Sequence, residues 1–523
     1  MSEAELLLLG LMVAVVGLSV LAHTIRVPYP ILLVLGGLML GVVPGVPEIA
    51  LAPELVLVLF LPPLLYAAAF FSSPRDLRAD LGAISLAAVG LVLATMGVVA
   101  VTAHALVDGL GWAAAFTLGA IVAPTDPLAA TAIARRLGVP RRLVTLVEGE
   151  SLVNDATALV AYRIAVAAAV GGSFVVWQAG LRFAVDAAGG VAIGLLVGWL
   201  AVEVRRRLDD PVVEIVASLV TGYLAYLPAD QLGVSGVLAA VVAGLYVGWR
   251  NPEIASASTR LLGFSFWEIL VYLLNAILFL LVGLQLHPIL SGVTGGSAAV
   301  LLGQAALVSA VVIAVRIAWQ FTVPYLDRRP TGLTRRLGAR ERLVVGWSGL
   351  RGAVSLAAAL ALPLPTGTGQ GIPQRNLIVS LTFAVILVTL VLQGLTLPVL
   401  IRRLGVHGDG AEEREELRGR LVATNAALTR LDELAAEDWT RDDTVERLRG
   451  MYDFRRRRLK ARAGKIEDDG YEDRSLAYQR LVRELLQAQR HAIVQLRNQG
   501  VISNDVMHRI ERDLDLEDSR LEI

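Results

Sequence analysis

Four carboxylates, Asp126, Glu148, Glu150 and Asp155, lie inside two consecutive apolar stretches of the sequence. A charged side chain near the centre of a membrane helix costs on the order of 2.5–3.5 kcal/mol on insertion scales, so its presence requires an explanation. Carboxylates at such a depth bind ions or protons, or form ion pairs with buried cations. The cluster therefore predicts a cation- or proton-binding site within a membrane.

The first of the two stretches is interrupted by Ala-Pro-Thr-Asp-Pro at residues 123–127. Two prolines three positions apart remove two backbone donors and disfavour helix at the residues before them. We therefore expect the helix to break around Thr125 and Asp126, as in the paired interrupted helices that form cation sites in secondary transporters. A proline kink in which Asp126 caps the second half-helix is an alternative, and both can hold together.

The second stretch contains Glu-Gly-Glu-Ser-Leu-Val-Asn-Asp at residues 148–155. On a helix, Ser151 and Asp155 share one face, and Glu148 lies near it two turns away, at the expected entrance of a cavity. Glu150 points about 140° away from Asp155, so it should face a neighbouring helix. An unpaired buried glutamate is costly, so Glu150 needs a cationic partner.

The partner that we predict for Glu150 is Arg351, in Ser-Gly-Leu-Arg-Gly-Ala-Val at residues 348–354. Gly349 and Gly352 loosen that helix, which predicts a second interrupted helix in the second half of the chain. The sequence leaves open whether four further intramembrane charges form ion pairs or line the cavity. These are Arg163, Arg182, Asp186 and Arg316.

Composition shows which elements must position these residues. Of the 523 residues, 55% are hydrophobic and 18% are charged, and the mean hydropathy is +0.63. Residues 1–405 carry 46 charged side chains, whereas the much shorter segment 406–523 carries 48. The chain is therefore a membrane domain followed by a polar tail, and a soluble enzyme is excluded.

Apolar stretches predict thirteen transmembrane helices, since a bilayer core requires about 20 apolar residues per helix. They lie near residues 5–22, 29–45, 52–71, 81–106, 110–134, 144–170, 174–202, 211–227, 231–249, 265–288, 298–324, 343–363 and 377–401. The interrupted helices are the fifth and the twelfth, which fits two inverted repeats of six helices with the interrupted helices crossing. We predict an all-α polytopic membrane protein with a helical tail.

Arginine placement predicts the orientation. If the loops alternate sides, one set carries twenty arginines and the opposite set carries one, Arg375. The crowded set comprises Arg26, Arg75, Arg78, Arg135, Arg136, Arg141, Arg142, Arg205, Arg206, Arg207, Arg250, Arg260, Arg328, Arg329, Arg335, Arg336, Arg340, Arg342, Arg402 and Arg403. The positive-inside rule places this set and the tail in the cytoplasm, and the N-terminus outside the cell membrane.

The tail at 406–523 has leucine and alanine at three- and four-residue spacing, which indicates a helical bundle. Gly450, Gly464, Gly470 and Gly500 punctuate it. It contains no nucleotide-binding fingerprint and no EF-hand loop, so its ligand is not predicted, and a regulatory role is one interpretation.

Several kinds of site are excluded by composition. The chain has no cysteine, and its six histidines lack the HxxxH or HExxH spacing of zinc sites, so neither a metal cofactor nor any other cofactor is expected. Basic and acidic residues are equal in number, 47 of each, so no basic excess is available for binding nucleic acid.

Three motifs occur in order: APTDP at 123–127, EGESLVND at 148–155 and GLRGAVSLA at 349–357. With FLPPLL at 60–65, this set resembles the monovalent cation:proton antiporters of the NhaP/NHE type over most of residues 1–405. The resemblance implies a homodimer with a dimer-forming part and a mobile six-helix core. It also implies elevator-like alternating access, electroneutral exchange of one cation for one proton, and a role in pH homeostasis.

The resemblance further implies that Asp155 is the carboxylate that binds either Na+ or H+. The other residues that it assigns are Asn154, Asp126, Thr125 and Ser151, for ion coordination or its support, and Glu150 with Arg351, as a structural ion pair. After FLPPLL many relatives have an aromatic residue and then Glu, whereas this chain has Tyr66 and Ala67. The coordination number and the preference for Na+ over K+ are therefore not carried over.

Two other classes match parts of the pattern. A cation channel could line its path with carboxylates, but no repeated filter loop such as TVGYG occurs. An intramembrane aspartyl protease would place two aspartates on adjacent helices, here Asp126 and Asp155, but residues 1–405 contain no GxGD segment. We therefore predict exchange of Na+ or Li+ for H+, with K+/H+ exchange by the same fold as the alternative.

Overall fold

The structure is a computed structural model that describes residues 3–25, 27–43, 53–72, 74–171, 176–291, 298–326, 337–363, 372, 374–408 and 410–521. All regular secondary structure in these ranges is helical, as predicted. The chain divides into two compact units, Met1–Gly408 and Asp409–Ile523. This boundary lies three residues after the expected one.

The described residues of the first unit form thirteen successive membrane elements, the number predicted. In chain order the helices are α1 (Glu3–Ile25), α2 (Tyr29–Val42), α3 (Pro53–Phe71), α4 (Pro74–Leu106), α5 (Trp112–Val122), α6 (Leu128–Arg136), α7 (Arg141–Gly171), α8 (Val176–Arg205), α9 (Pro211–Gln231), α10 (Gly236–Ile254), α11 (Ala257–Ser291), α12 (Ala298–Leu326), α13 (Ala339–Trp347), α14 (Ala353–Leu360), α15 (Arg375–Val388) and α16 (Gly394–Leu404). Within the described ranges, seven helices are long and apolar enough to cross a membrane, and four further apolar helices are shorter.

Several helices extend beyond their apolar stretches. Helix α4 begins at Pro74 rather than near residue 81, and α11 begins at Ala257 rather than near residue 265. Hydropathy marks the part of a helix inside the bilayer, whereas the helix itself continues into polar surroundings. Five arginines of the topology prediction lie outside the described residues: Arg26, Arg328, Arg329, Arg335 and Arg336.

Both predicted interruptions are present. Helices α5 and α6 are separated by residues 123–127, and α13 and α14 by residues 348–352, so each pair is one interrupted element. The last element, α15 to α16, is continuous but contains one π-helical turn, Thr389–Gln393. No feature of the sequence predicted this turn, and such turns are frequent at functional sites.

The membrane elements pack as two bundles. Helices α4–α7 and α12–α16 form a six-element bundle, and α1–α3 with α8–α11 form a seven-element bundle. Where they meet, Leu33 and Phe279 of the seven-element bundle share a buried apolar cluster with Leu350 and Ile386 of the six-element bundle. Apolar contacts are non-directional, so this part of the boundary is held without a fixed hydrogen-bond register.

The second unit consists of four helices in its described residues. These are α17 (Ala411–Leu434), α18 (Asp442–Arg462), α19 (Tyr471–Asn498) and α20 (Asn504–Leu521). Leu486 and Ile493 of α19 pack against Met507 and Leu514 of α20 in a small apolar cluster. Three of the four glycines noted in the sequence lie in turns with positive φ, whereas Gly450 lies inside α18.

Helices α2 and α11 approach each other closely at two glycines. A Cβ atom on Gly37 would lie 2.2 Å from the carbonyl oxygen of Leu280, and one on Gly283 would lie 2.1 Å from that of Val34. Backbone atoms cannot move aside locally, so the contact requires glycine on both helices. Small residues serve this purpose widely in membrane helix pairs.

Replacing Gly283 by alanine should therefore destabilise the protein by about 1–3 kcal/mol, the usual cost of overpacking. Gly303 of α12 is the matched control, because a Cβ atom there would meet nothing within 4 Å. Alanine at that position should be neutral or stabilising, since helical glycine costs roughly 1 kcal/mol relative to alanine. The apparent melting temperatures of both variants in detergent check this, and equal values would contradict the close approach.

Candidate functional site

The two interrupted helices cross at their breaks. The Asp126 N–H donates to the carbonyl oxygen of Leu350 at 2.8 Å. In the opposite direction, Arg351 Nε donates to the carbonyl oxygen of Val122 at 3.0 Å. Each break thus satisfies backbone groups of the other, which is the condition for irregular backbone at membrane depth.

Two arginines lie at the C-terminal ends of half-helices. Arg351 caps the end of α5 through the carbonyl of Val122. Arg375 caps the end of α14, with Nε donating to the Leu362 carbonyl at 2.8 Å and Nη2 to the Leu360 carbonyl at 2.9 Å. Helix C-termini carry partial negative charge that a guanidinium offsets. This explains why Arg375 occurs alone among the arginine-poor loops.

Asp126 lies at the N-terminal ends of α6 and α14. Its Oδ1 accepts from the Leu128 N–H at 3.0 Å, which is the cap considered from the sequence. A Cβ atom on Gly352 would lie 2.0 Å from Asp126 Oδ2, so glycine leaves the space that this carboxylate fills. Helix N-termini favour negative charge, and two of them converge on this residue.

Helix α7 passes the crossing with two polar residues, Ser151 and Asn154, in contact with it. Ser151 Oγ donates to the Thr125 carbonyl at 2.6 Å, and Asn154 Nδ2 donates to Thr125 Oγ1 at 3.3 Å. Asn154 Oδ1 is buried and accepts no hydrogen bond from the described residues. The structure thus brings Thr125, Ser151 and Asn154 together and leaves one buried acceptor oxygen available.

Asp155 is 8% exposed and close enough to Asp126 for their charges to interact. Across the described ranges, no donor forms a hydrogen bond or ion pair with its carboxylate. The entrance residue Glu148 is engaged by Arg135 at 2.7 Å, with its side chain 30% exposed. Among the residues that the structure describes, Asp155 therefore differs from the other carboxylates of the cluster in having no hydrogen-bond or ion-pair partner.

Glu150 pairs with Arg316 of α12, which corrects the predicted pair with Arg351. Arg316 Nη1 donates to Glu150 Oε1 at 2.5 Å, and Gln320 Nε2 donates to Oε2 at 3.3 Å. The prediction that Glu150 faces a neighbouring helix is correct, and it is the partner that differs. Arg351 instead directs Nε and Nη1 to backbone carbonyls at the breaks.

Arg316 and Arg351 lie side by side around Gly349. A Cβ atom on Gly349 would lie 2.0 Å from Arg316 Cδ and 2.9 Å from Arg351 Nη1. Nη2 of each guanidinium is buried without an acceptor in the described part of the chain. Two buried arginines thus share one carboxylate, Glu150, and the surplus positive charge lies beside the helix crossing.

Two residues of this network were missed by sequence reasoning. Gln320 lies four positions after Arg316, so helix periodicity could have placed both on the face that meets Glu150. Thr389 lies in the π-helical turn, and its Oγ1 accepts from the Arg351 N–H at 3.2 Å. Because the turn itself had no sequence signal, Thr389 had none either.

The remaining candidates lie away from the crossing. Arg163 pairs with Asp230 of α9. Arg182 is exposed, whereas Asp186 is buried and accepts through its carbonyl from the Ser235 N–H. Ala67 is buried in an aromatic cluster of the seven-element bundle. Within the residues described, no three His, Asp or Glu side chains form a group that could hold a metal ion.

Comparison with known proteins gives consistent matches. The family model described as "Sodium/hydrogen exchanger, transmembrane" matches residues 10–403. A protein of Mycobacterium tuberculosis named as an uncharacterised Na+/H+ exchanger is 38% identical, covering 98% of this chain and 95% of its own length. A sodium, potassium, lithium and rubidium/H+ antiporter of Bacillus subtilis is 32% identical, covering 76% and 61%. In fold, the chain is similar to the sodium proton antiporter MjNhaP1 of Methanocaldococcus jannaschii, with a TM-score of 0.60, 20% identity, and coverage of 77% and 99%.

Replacing Glu150 by alanine should strongly destabilise the protein, because it leaves Arg316 and Arg351 buried without a counter-charge. Breaking a buried ion pair by removing one partner typically costs about 3–5 kcal/mol. Glu148→Ala, two positions away on the same helix, is the control, and its partly exposed pair should contribute less than about 1 kcal/mol. Folded yield and melting temperature in detergent measure both effects, and similar losses for the two variants would refute the assigned role of Glu150.

Proposed function

The chain belongs to the sodium/hydrogen exchanger family, and we propose that it exchanges one Na+ or Li+ for one H+ electroneutrally at Asp155. As a member of this family it is a multi-pass membrane transporter rather than an enzyme. The family transports its ions without a cofactor. The finer proposal concerns the residue that exchanges the ions, their stoichiometry and the movement that carries them.

The observation that supports this proposal best is that Asp155 has no hydrogen-bond or ion-pair partner in the described part of the chain. Glu150 is held by Arg316 and Gln320, and Asp126 accepts from a backbone N–H between two helix N-termini. Asp155 is buried beside them with no donor from the described residues. A buried carboxylate without a partner is unfavourable unless it binds a cation or a proton. Of this carboxylate cluster, Asp155 is thus the residue suited to bind the exchanging ions.

Oxygen atoms around Asp155 suit a small alkali cation. Alongside Asp155 and Asp126, we propose that the hydroxyls of Thr125 and Ser151 and the unpaired Oδ1 of Asn154 coordinate the cation or support its ligands. Carboxylate, carbonyl and hydroxyl oxygens are the donors that hard cations prefer. The positive ends of α6 and α14 compensate Asp126, which leaves Asp155 as the charge that the cargo neutralises.

Competition at one site accounts for obligatory exchange. Near neutral pH a single buried carboxylate can hold a proton or a cation but not both, because only one negative charge is available. If the neutralised site crosses the membrane and the bare anion does not, each inward passage of one ion requires outward passage of the other. One charge moves each way, so the exchange is electroneutral.

The two bundles offer a physical basis for elevator-like movement. Every residue proposed to bind the ion belongs to the six-element bundle, on α5–α6, α7 or the segment between them. The site can therefore move with that bundle without changing its internal geometry. The boundary with the seven-element bundle is largely apolar, which permits sliding.

The arginine distribution supports the proposed orientation, with the tail in the cytoplasm. Arg142 at the start of α7 pairs with Glu341 at the start of α13 at 2.6 Å. Near them, the Gly408 N–H donates to the carbonyl of Gly138 at 2.7 Å. The arginine-rich loops and the chain segment that enters the tail thus meet at one end of the membrane unit, as the positive-inside rule requires.

Three further expectations stay predictions. A K+/H+ exchanger is the alternative, favoured by Ala67 in place of the glutamate expected from the resemblance and by the broad cation range in the name of the Bacillus relative. The homodimer and its dimer-forming part follow from the resemblance alone. A regulatory role is proposed for the tail as a separate helical unit.

Asp155→Asn should abolish cation-driven proton movement while the protein stays folded, because asparagine keeps the shape but cannot exchange a charge. The measurement uses proteoliposomes with an internal pH dye and an imposed pH gradient, to which Na+, Li+ and K+ are added in turn. Asp209→Asn, in the exposed loop between α8 and α9, is the control for loss of one carboxylate and should exchange like wild type.

Retained Na+-dependent proton movement in the Asp155→Asn variant, with normal melting behaviour, would rule out the site assignment. If the wild-type protein responded to K+ alone, the site assignment would stand and the transported cation would be K+. Clamping the membrane potential with valinomycin and K+ tests stoichiometry, since an electroneutral exchanger should proceed at the same rate with and without the clamp.

A further inference from the structure

Arg163 of α7, in the six-element bundle, donates hydrogen bonds to residues of the seven-element bundle. Its Nη2 donates to Asp230 Oδ1 near the end of α9, and its Nη1 donates to the carbonyl oxygen of Val234 at 3.4 Å. The ion pair of Glu150 with Arg316, in contrast, lies wholly inside the six-element bundle. If the two bundles moved relative to each other, the Glu150–Arg316 pair would stay intact, whereas Arg163 would separate from its acceptors.

The acceptors of Arg163 are fixed on the seven-element bundle. Gly233 adopts a φ of +75°, which turns the chain from α9 into α10. Ser235, two residues after Gly233, donates its N–H to the carbonyl oxygen of Asp186 on α8 at 3.1 Å. A Cβ atom on Gly189 of α8 would lie 2.6 Å from Val234 Cγ1, so the loop is packed closely against α8. Movement must therefore come from the side of Arg163.

An apolar seal lies between the bundles near this contact. Leu152 and Ala156 of α7 are buried with Leu65 of α3 and Tyr226 of α9 in one cluster, and Leu227 packs against it. The cluster joins both bundles, and its α7 members Leu152 and Ala156 flank Asp155, at the depth of the ion site. Leu159, one turn further along α7 towards Arg163, also packs against the cluster, so apolar contacts close the route from the site to the arginine-poor side.

The opposite route is more open. Leu128 beside the ion site is half-buried, and Ala132 and Arg135 on the same face of α6 are exposed. Arg135 pairs there with Glu148, which has 30% of its side chain exposed. Exposed and charged side chains therefore run from the arginine-rich side to the edge of the site, where Asp126 is itself half-buried.

We propose that Arg163, Asp230 and Val234 form a latch that holds the six-element bundle in the state in which the ion site opens to the arginine-rich side. The latch rests on the proposed exchange by bundle movement, and Arg163 acts in it as a positioning residue. Exposed ion pairs shift an equilibrium by only about two- to fivefold. When two transport states have similar energies, loss of the latch changes the ratio of their populations by the same factor. A contact of this strength is therefore enough to decide which state predominates.

The test measures access to the seal from the arginine-poor side. Because the chain has no cysteine, Leu227→Cys supplies a single reporter for a membrane-impermeant maleimide applied to intact cells. Arg163→Ala in this background should raise the labelling rate about two- to fivefold, as the opposite state becomes more populated. Arg182→Ala is the matched control, since Arg182 is an exposed arginine of α8 that bonds to none of the described residues.

A charge reversal separates the latch from a general loss of structure. The double variant Arg163→Asp with Asp230→Arg should restore labelling to the reporter's own rate, whereas each single reversal should raise it. Equal labelling in the Arg163→Ala and Arg182→Ala variants, or no rescue by the double reversal in protein of normal melting temperature, would overturn the latch. Cation-driven proton movement is measured separately in wild type, so its absence would refute the exchange proposal and not the labelling result.

Discussion

The crossing of the two interrupted helices is the constraint on which the rest of the structure depends. Backbone groups freed in mid-membrane have no water to bind, and each unsatisfied group there costs several kcal/mol. The breaks solve this reciprocally, with Asp126 donating to Leu350 and Arg351 donating to Val122. The same bonds place two helix N-termini at Asp126 and an arginine at the end of α5. Site electrostatics is therefore a consequence of satisfying the backbone.

Charge balance around the crossing follows from that arrangement. Because Arg351 is committed to backbone carbonyls, Glu150 takes its ion pair from Arg316, and the two arginines share its single negative charge. Gly349 and Gly352 are required less for flexibility than for space, since they leave room for Arg316 and for Asp126 respectively. The surplus positive charge beside the site compensates part of the negative charge of Asp126 and Asp155, so that in the proposed exchange one cargo ion would be sufficient to neutralise the remainder.

Sequence reasoning identified what depends on local chemistry. Proline spacing located the break at 123–127, hydropathy and arginine counts predicted thirteen elements, and the helical period separated the face of Glu150 from that of Asp155. It failed where the outcome depends on which distant groups meet. The choice between Arg316 and Arg351 requires knowledge of how α12 packs on α7, and the π-helical turn that brings Thr389 to Arg351 has no signature in its residue types.

The location of the whole site within one bundle links its electrostatics to transport. In the exchange that we propose, the six-element bundle would move an approximately neutral site past apolar side chains such as Leu65 and Tyr226 whenever Asp155 carries a proton or a cation. When Asp155 is bare, the same movement would carry an uncompensated charge past those side chains, and desolvating such a charge costs several kcal/mol even in relaxed protein interiors. Since a difference of 1.4 kcal/mol already changes a population tenfold, the seal itself would discriminate loaded from empty carriers in the proposed exchange. Under this proposal coupling would require no additional gate, because an apolar boundary that lets the bundles slide would also penalise the state that uncouples them.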